Sequence, residues 1–443
     1  MKLLKVSVPN FRNLKNVELT FEPSLKPAVF PIGSENGGGK STLLQLIFVL
    51  LTCSLDDNKN IYLSNFLISV IDNFQDTDEI AQFELNYQGE IINFTFTYLD
   101  ENDSDNQKII KFTKEILNFK KDLQDKSKEI TNIDQIISEK RREYMGESSG
   151  LVEKKKSKDI EKLEEGKQTL ILQQEEIKQY IKSTNSRLLI YQKELKILCC
   201  NYIAAQDKWM ICKTNIDNFE ISYKAFAYAS KNIYLVTPPT QMFLFFDREI
   251  KKLMDGNFAD YYNKVNAIRK KIANIYIYNQ LSIIAIKHAF KQAREQDFKT
   301  ALENDNLEYG TELKGLAEDF HQFLGNDKYI KPSPDMNSII VERKISENEF
   351  IELEPEELSH GELKKLGLYA WIKYNNINDS IILIDEIENG FHPDWQYNIV
   401  NELASWGDNQ YLLATHSFYL CEALTPAHVK EIEPKMLNPN SEE

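Results

Sequence analysis

The sequence has little of what secreted, metal-binding or membrane proteins need. Its 443 residues include five cysteines and no C-x-x-C pair, so neither a disulfide framework nor a zinc site is indicated. The N-terminus lacks the apolar segment of a signal peptide. The longest apolar run, at 43–53, is shorter than the ~20 residues that a membrane span requires. These absences predict a cytoplasmic protein with no membrane partner.

Positive charge is also in short supply. The chain has 53 Lys and Arg against 68 Asp and Glu, a formal net charge of -15. This balance excludes a protein that holds nucleic acid by overall charge, so any DNA contact would have to be local. The hydrophobic content of 42% and the charged content of 27% exclude a disordered or collagen-like chain. At about 150 residues per domain, the length predicts two or three domains.

A glycine-rich loop, GSENGGGKST at 33–42, stands between an apolar strand and an apolar helix. Glycines allow backbone N–H groups to converge on phosphate oxygens, and the N-terminus of a helix adds positive potential. We expect Lys40 to reach the β- and γ-phosphates of a nucleotide and Ser41 to ligate Mg²⁺. The predicted nucleotide-binding residues of the loop are Asn36, Gly37, Gly38, Gly39, Lys40, Ser41 and Thr42. Ser34 departs from the strict phosphate-loop pattern, which has glycine there, and an ordinary glycine-rich turn is the alternative.

A second apolar strand, at 381–384, ends in two acids. Buried strands deliver their C-terminal residues to the crevice where nucleotides bind. We therefore expect Asp385 to hold Mg²⁺ and Glu386 to orient and deprotonate an attacking water. His416 follows the next apolar strand, at 411–414, and is predicted to lie beside the acids. Taken singly, an acid pair at a strand end is commonly a turn or cap, and a lone histidine is commonly structural.

The sequence LSHGE precedes a predicted helix at 362–373. Read alone, Ser359 is the N-cap of that helix and Glu362 completes a capping box. Between 108 and 198 there is no proline, and apolar residues recur every seven positions on both sides of a Gly/Ser-containing segment at 145–150. Two such arms predict an antiparallel helical hairpin, each arm roughly 50–65 Å long. Two ordinary packed helices are the alternative, because lysines and glutamine dilute the heptad seam.

Together these motifs resemble the ABC class of ATPases, in the soluble branch that includes SMC, Rad50, RecF and OLD proteins. LSHGE resembles the signature, ILIDEIENGFHP resembles Walker B with its D-loop, and ATHS resembles the switch segment. The resemblance implies ATP and Mg²⁺ as cofactors and a homo-oligomer, at least a dimer, with shared ATP sites. The signature residues expected to act in trans, on the ATP of another subunit, are Ser359, Gly361 and Glu362.

Two further site residues are implied by the resemblance. The opening segment NFRNLKNVELTF is similar to this branch, in which an arginine at the position of Arg12 approaches the nucleotide. Gln241 is the candidate for the glutamine that links the metal to the helical subdomain; alternatively, it is a polar residue that caps a helix after two prolines. The catalytic residues implied are Glu386 and His416.

The predicted fold class is α/β: a two-lobed P-loop ABC-ATPase head with a mixed sheet, an inserted antiparallel coiled-coil hairpin and a helical subdomain. The predicted domains are an N-terminal lobe at 1–107, the hairpin at 108–198, the helical subdomain at 199–335 and a C-terminal lobe at 336–443. Only the first ~50 and the last ~90 residues carry the ATPase motifs, so the middle of the chain is predicted from its helical character.

The resemblance implies an ATPase whose turnover is affected by two departures, Ser34 and His360. The segment at 385–393 is close to OLD-like and defence-associated members, and no Toprim, HNH or PD-(D/E)xK nuclease pattern follows it. We therefore expect the ATPase subunit of an anti-phage system such as PARIS or Septu, with a separately encoded nuclease or toxin as effector and a phage-derived trigger. The alternatives are a RecF/Rad50-like ATPase of DNA repair, and a nucleotide-locked scaffold with slow hydrolysis.

Overall fold

The computed structural model describes residues 1–67, 79–144, 150–204, 206–246, 258–278, 281–303, 309–325, 327–347 and 349–432. Its strands are β1 (Lys2–Phe11), β2 (Leu14–Thr20), β3 (Val29–Gly33), β4 (Glu79–Tyr87), β5 (Glu90–Tyr98), β6 (Ile197–Ile203), β7 (Lys208–Thr214), β8 (Ile233–Thr237), β9 (Ile275–Ile277), β10 (Lys328–Pro332), β11 (Ile339–Ser346), β12 (Glu349–Leu353), β13 (Ile381–Asp385), β14 (Gln410–Ala414) and β15 (Lys430–Glu431).

The α-helices are α1 (Lys40–Cys53), α2 (Asn60–Leu67), α3 (Ser104–Tyr144), α4 (Gly150–Leu195), α5 (Phe219–Asn232), α6 (Phe258–Lys271), α7 (Ser282–Glu303), α8 (Thr311–Leu324), α9 (His360–Tyr374), α10 (Pro393–Ser405) and α11 (Phe418–Glu422). Short 3₁₀ helices cover Pro239–Phe245 and Pro355–Glu357. In the described part of the chain, no helix combines the length and the apolar composition needed to cross a bilayer.

Two six-stranded sheets build the head. One is antiparallel, in the order β2-β1-β4-β5-β7-β6, and the other is parallel, in the order β15-β3-β14-β13-β8-β9. In the parallel sheet Asp385 pairs with Ala414, which pairs in turn with Ile32. The carboxyl ends of β3, β14 and β13 therefore meet at one edge, and the candidate site lies at this edge.

Helix α1 lies between the two sheets. Every residue of α1 except Ser41 and Thr42 is buried, in agreement with its apolar composition on nearly all faces. The core around it contains Phe83 from the antiparallel sheet and Leu383 from the parallel sheet. A second core, on the other face of the parallel sheet, joins β13 and β14 to α7, α8 and α9. Burial on both faces explains why β13 is apolar at four consecutive positions.

The predicted antiparallel hairpin is present as α3 and α4. The rings of Phe119 and Tyr180 lie 4.5 Å apart across it, and Lys126 donates to the Gln173 side chain over 2.7 Å. The helices contain 41 and 46 residues, which corresponds to about 60–70 Å at 1.5 Å per residue. Two of the seam lysines, Lys126 and Lys167, thus have polar partners across the hairpin. The predicted tip lies outside the described residues except for its last position, 150.

Residues 199–335 differ from the helical subdomain predicted there. Strands β6 and β7 complete the antiparallel sheet, and β8 and β9 join the parallel sheet. In β7, Met210 and Cys212 face the core around α1, whereas Trp209 and Ile211 face the base of the hairpin. A strand buried on both faces has no polar alternation, so its period of two is not visible in the sequence.

Candidate functional site

Lys40 begins α1, and its ammonium group folds back over the glycine-rich loop. Nζ donates to the Ser34 carbonyl oxygen over 3.0 Å, to Ser34 Oγ over 3.1 Å and to the Glu35 carbonyl oxygen over 3.4 Å. Burial lowers the pKa of Lys40 from its usual value, while the carboxylates of the site oppose this shift. Ser34, the residue that departs from the strict pattern, therefore provides two of the three acceptors for the loop lysine.

The loop conformation depends on its glycines. Gly37 and Gly39 have φ angles of 79° and 97°, in the left-handed region that favours glycine. A Cβ on Gly38 would lie 2.4 Å from Ser34 Oγ, and one on Gly39 would lie 2.6 Å from Leu14 Cδ2. The loop thus packs against itself and against the β1–β2 turn, and a larger residue at either position would displace it.

Ser41 connects the glycine-rich loop to the acid at the end of β13. Its Oγ donates to Asp385 Oδ1 over 3.0 Å, while the buried Asp385 Oδ2 has no hydrogen-bond partner among the described residues. Burial raises the pKa of Asp385 to about 7; the charges of Glu386 and Glu388 add to this effect, whereas Ser41 and Lys40 oppose it. The carboxyl group at the end of β13 is therefore buried, with a single hydrogen bond among the described residues.

Glu386 occupies a strained turn. Its φ angle is 54°, a left-handed conformation that costs a non-glycine residue about 1–3 kcal/mol. The backbone N–H donates to the Ala414 carbonyl oxygen over 3.1 Å, and one carboxylate oxygen accepts from Asn389 Nδ2 over 2.7 Å. The backbone therefore leaves the direction of β13 at Glu386, directly after Asp385, the last residue of the strand.

Two further side chains, those of Glu388 and Lys364, lie at this turn. The sequence motifs identified neither of them. Glu388 accepts from the His416 backbone N–H over 2.7 Å and is 9% exposed, while the imidazole of His416 itself is exposed. Lys364, on α9, donates to the carbonyl oxygens of Glu386 and Asn389. The sequence signal for Glu388 was the third acid of the segment DEIE; Lys364 had none beyond its position in α9.

The start of α9 contains the capping box that LSHGE predicts when it is taken alone as the start of a helix. Ser359 Oγ accepts from the Glu362 N–H over 3.3 Å, and Glu362 Oε2 accepts from the Ser359 N–H over 2.7 Å. Glu362 also forms an ion pair with Lys328 at 2.6 Å. Gly361 packs so closely on the turn after β13 that a Cβ there would lie 2.4 Å from the Gly390 carbonyl oxygen. Among the described residues, no hydrogen bond joins Ser359 to the glycine-rich loop of the same chain.

Gln241 lies close to α1. In the 3₁₀ helix Pro239–Phe245, its Oε1 accepts from Gln45 Nε2 over 3.0 Å. Gln45 is one helical turn beyond Ser41 and shares its helix face. The side-chain amide of Gln45 therefore links α1 to Gln241.

Arg12 packs against Phe66 at the end of α2. Its guanidinium donates to the Phe66 carbonyl oxygen over 2.6 Å and lies 4.4 Å from the centre of the Phe66 ring. Burial lowers the pKa of Arg12 to about 10. The neighbouring Asn13 contacts the loop instead, since its Nδ2 donates to the Gly37 carbonyl oxygen over 2.9 Å. Contacts with Phe66 thus hold the guanidinium of Arg12, and its approach to a nucleotide stays a prediction.

The remaining loop residues and the donor set define what the site can hold. Asn36 is exposed and Thr42 is half-buried. No group of three or more His, Cys, Asp or Glu in the described ranges is arranged to bind a metal ion. Mg²⁺ does not need such a group, because it is held by one or two protein oxygens together with phosphate oxygens and waters. The Ser41 hydroxyl and the partnerless Asp385 Oδ2 are hard oxygen donors that fit this ion.

Comparisons with known proteins agree with this arrangement. A family model described as "AAA domain" matches residues 5–216, and one described as "AAA domain, putative AbiEii toxin, Type IV TA system" matches residues 255–422. No curated protein matches the sequence. Among solved structures, one match is the Smc head domain with an extended coiled coil, bound to the C-terminal domain of ScpA, from Pyrococcus furiosus. It has a TM-score of 0.32 and 10% identity, covering 95% of this chain and 91% of that chain.

The two family matches include the two segments that the parallel sheet brings together. The first contains the glycine-rich loop, and the second contains the LSHGE segment, the acids after β13 and His416. An AAA domain implies nucleotide binding. The chain therefore has the α/β fold of a P-loop ATPase head, with one AAA-domain match that includes the glycine-rich loop and the helical hairpin and another that includes the acids after β13.

Proposed function

We propose that this chain binds ATP between the glycine-rich loop and the end of β13, and that it hydrolyses the γ-phosphate bond. The observation that carries the proposal is the hydrogen bond from Ser41 to Asp385, which joins the two segments at one point. Lys40 begins the same helix; burial lowers its pKa, and the nearby carboxylates oppose this shift. A triphosphate here would meet the Lys40 ammonium group and the N-terminus of α1. Its Mg²⁺ would meet the Asp385 oxygen that has no hydrogen-bond partner among the described residues.

Each group has a role that its surroundings support. Lys40 exchanges its loop carbonyl acceptors for phosphate oxygens, and the N–H groups of residues 36–42 cradle the phosphates. Ser41 and Asp385 hold Mg²⁺, which neutralises charge on the phosphate oxygens when it is bound. Gln241 lies one helical turn of α1 beyond Ser41, where Gln45 holds its amide oxygen.

Glu386 is the proposed general base. Its carboxylate follows Asp385 directly at the site edge, and Asn389 holds one of its oxygens by a 2.7 Å hydrogen bond. The other oxygen is then free to accept a proton from water, which attacks the γ-phosphorus while ADP leaves. His416 follows β14, the strand next to β13, and its ring is exposed. We therefore place it beside the γ-phosphate as a polar contact.

A second copy of the chain completes the site in this proposal. Ser359 and Gly361 start α9 on the far side of the turn after β13, and they form no hydrogen bond with the glycine-rich loop in the described residues. Two heads related by a two-fold axis would each present this helix start to the other's triphosphate. The helix N-terminus then faces an anion, which is the favourable orientation of its dipole.

A mixing experiment tests the composite site. Ser359→Asp keeps a good N-cap but puts a carboxylate next to the partner's phosphate, so hydrolysis should be lost although α9 still forms. Glu386→Gln should also be inactive. In a mixed dimer, one site carries both defects and the other site is intact. If the two variants pair at random, half of the dimers are mixed, so a 1:1 mixture should regain about a quarter of wild-type activity. A mixture as inactive as its components would reject a site shared between copies, and an active Ser359→Asp protein would reduce Ser359 to a cap.

The finer role that we propose is control of a separately encoded effector in anti-phage defence. The support is the description of the matching family, which names a toxin of a type IV toxin–antitoxin system. Cells carrying this gene and its neighbour should lose protection from phage with Lys40→Ala, and the purified ATPase should bind the neighbouring gene product. Stimulation of hydrolysis by DNA, declining steeply with salt, would instead support a role in DNA repair.

A further inference from the structure

Helix α9 carries a buried lysine two residues beyond the LSHGE segment. Lys364 is 1% exposed, and its Nζ donates to the Glu386 carbonyl oxygen over 2.7 Å and to the Asn389 carbonyl oxygen over 3.1 Å. Nζ also lies 3.9 Å from the centre of the Tyr278 ring. Among the described residues, no carboxylate comes within ion-pair distance of this ammonium group. Its direct partners are therefore two backbone oxygens of one turn and the rings of Tyr278 and Phe391, the latter at 5.5 Å.

The turn that Lys364 binds is the one that orients the proposed base. Asn389 accepts from Lys364 through its carbonyl oxygen and donates through its side chain to the Glu386 carboxylate over 2.7 Å. Glu386 has a left-handed backbone, and Lys364 contacts the carbonyl oxygen of that same residue. The lysine thus supports both the backbone conformation of Glu386 and the residue that holds its carboxylate.

Burial of a lysine on this side of the acids has an energetic reason. Asp385, Glu386 and Glu388 all favour the charged form of Lys364, although burial lowers its pKa to about 7. Tyr278 contributes the face of its ring, which attracts a cation. A buried ammonium that is not paired with a carboxylate is costly unless its hydrogen bonds are made, and those bonds are made only to the turn.

We propose that Lys364 is a positioning residue for hydrolysis: it fixes the Glu386–Asn389 turn so that the Glu386 carboxylate faces the attacking water. The proposal rests on the proposed function, in which Glu386 is the base. Lys364 is separated from the phosphates by the turn itself, so it acts through Glu386 and not on the nucleotide. Its loss should therefore reduce the rate of the chemical step without weakening the binding of ATP.

The test compares two neighbouring lysines of α9. Lys364→Met keeps the apolar stem but removes the donors, and we expect kcat to fall about 10–100-fold with the ATP Kd changed less than about threefold. Lys365→Met is the control, because Lys365 is also buried, at 5% exposure, but pairs with Glu402 at 2.8 Å on another side of the helix. Its kcat per folded molecule should stay near the wild-type value. Lys364→Arg retains a charged donor and should recover part of the rate.

Asn389→Ala tests the same connection from an exposed position, in case Lys364→Met does not fold. It should lower kcat alone, and combining it with Lys364→Met should add little further loss, because both changes release one carboxylate. Wild-type kcat in Asn389→Ala and in folded Lys364→Met, or an equal loss in Lys365→Met, would overturn the positioning role. Failure of the proposed function looks different: wild-type protein would then hydrolyse no ATP, or hydrolyse it independently of Glu386.

Discussion

Ser41 and Asp385 are 344 positions apart in the sequence, yet the hydroxyl of one donates to the carboxylate of the other over 3.0 Å. Ser41 is the second residue of the helix after β3, and Asp385 is the last residue of β13. Strand β14 lies between β3 and β13. The parallel sheet brings them together because each strand ends at the same edge. This contact is the point at which the two motif-bearing ends of the chain become one site.

Removing the Ser41 hydroxyl should reduce the dependence of ATP binding on Mg²⁺. In Ser41→Ala, we expect the gain in ATP affinity on adding Mg²⁺ to fall by about tenfold, because one oxygen ligand is lost. Thr52→Ala is a control on the same helix, where the hydroxyl donates to the Phe48 carbonyl oxygen. Fluorescent-nucleotide titrations with and without Mg²⁺ measure the effect. Equal Mg²⁺ dependence in wild type and Ser41→Ala would remove Ser41 from the metal site.

The raised pKa of Asp385 should make the nucleotide-free protein less stable as the pH rises. Its pKa is about 7 when folded and 3.8 when exposed, so the folded state binds the extra proton between these values. Stability from this group is therefore full below pH 4 and is lost as the pH rises to about 7. At pH 8, Asp385→Asn should raise the thermal unfolding midpoint. The corresponding gain in the free energy of unfolding is up to about 4 kcal/mol, and it should disappear near pH 4.

Mg²⁺ and ATP should release that same proton. Calorimetry near pH 6.5 in buffers of different ionisation enthalpy should give a buffer-dependent binding heat for wild type, because a cation favours the charged carboxylate. The same titration of Asp385→Asn should lose this contribution. Identical buffer dependence in both proteins would indicate that Asp385 is already ionised before binding.

Two acids on either side of Ile387 allow the base to be identified. Glu386→Gln should cost at least ~10²-fold in kcat, since an amide cannot accept the proton of the attacking water. Glu388→Gln should cost much less, because its amide oxygen can still accept the 2.7 Å hydrogen bond from the His416 N–H. Single-turnover hydrolysis of ATP by both variants separates the chemical step from product release. A larger loss in Glu388→Gln than in Glu386→Gln would exchange their roles.

Glycine at position 361 should be required for contact between α9 and the turn after β13. Gly361→Ala puts a methyl group 2.4 Å from the Gly390 carbonyl oxygen. We expect the free energy of unfolding to fall by about 1–3 kcal/mol and ATP hydrolysis to be lost as well. Gly315→Ala is the matched control inside α8, where nothing lies within 4 Å of the new methyl group. That change should stabilise the protein by about 0.5–1 kcal/mol. Thermal unfolding that ranks the two variants in the opposite order would contradict the close packing.

Sequence patterns identified local features well where one face or one period dominated. The all-round apolar α1, the heptads of α3 and α4 and the capping box at Ser359 were each visible, since they depend on neighbours within a few residues. Strands β6 and β7 were missed, because burial on both faces removes the alternation that marks a strand.

The sequence alone determined the chemistry available to this protein: a glycine-rich turn with a lysine, an acid pair after an apolar strand, and a histidine after the next. These depend on residue type and short spacing. Only the tertiary structure decided the partners: Arg12 packs on Phe66 while Asn13 contacts the loop, Gln45 binds Gln241, and Lys364 supports the turn of Glu386. Such contacts depend on the order of strands in the sheet and on the face each helix buries. No local period encodes either of these.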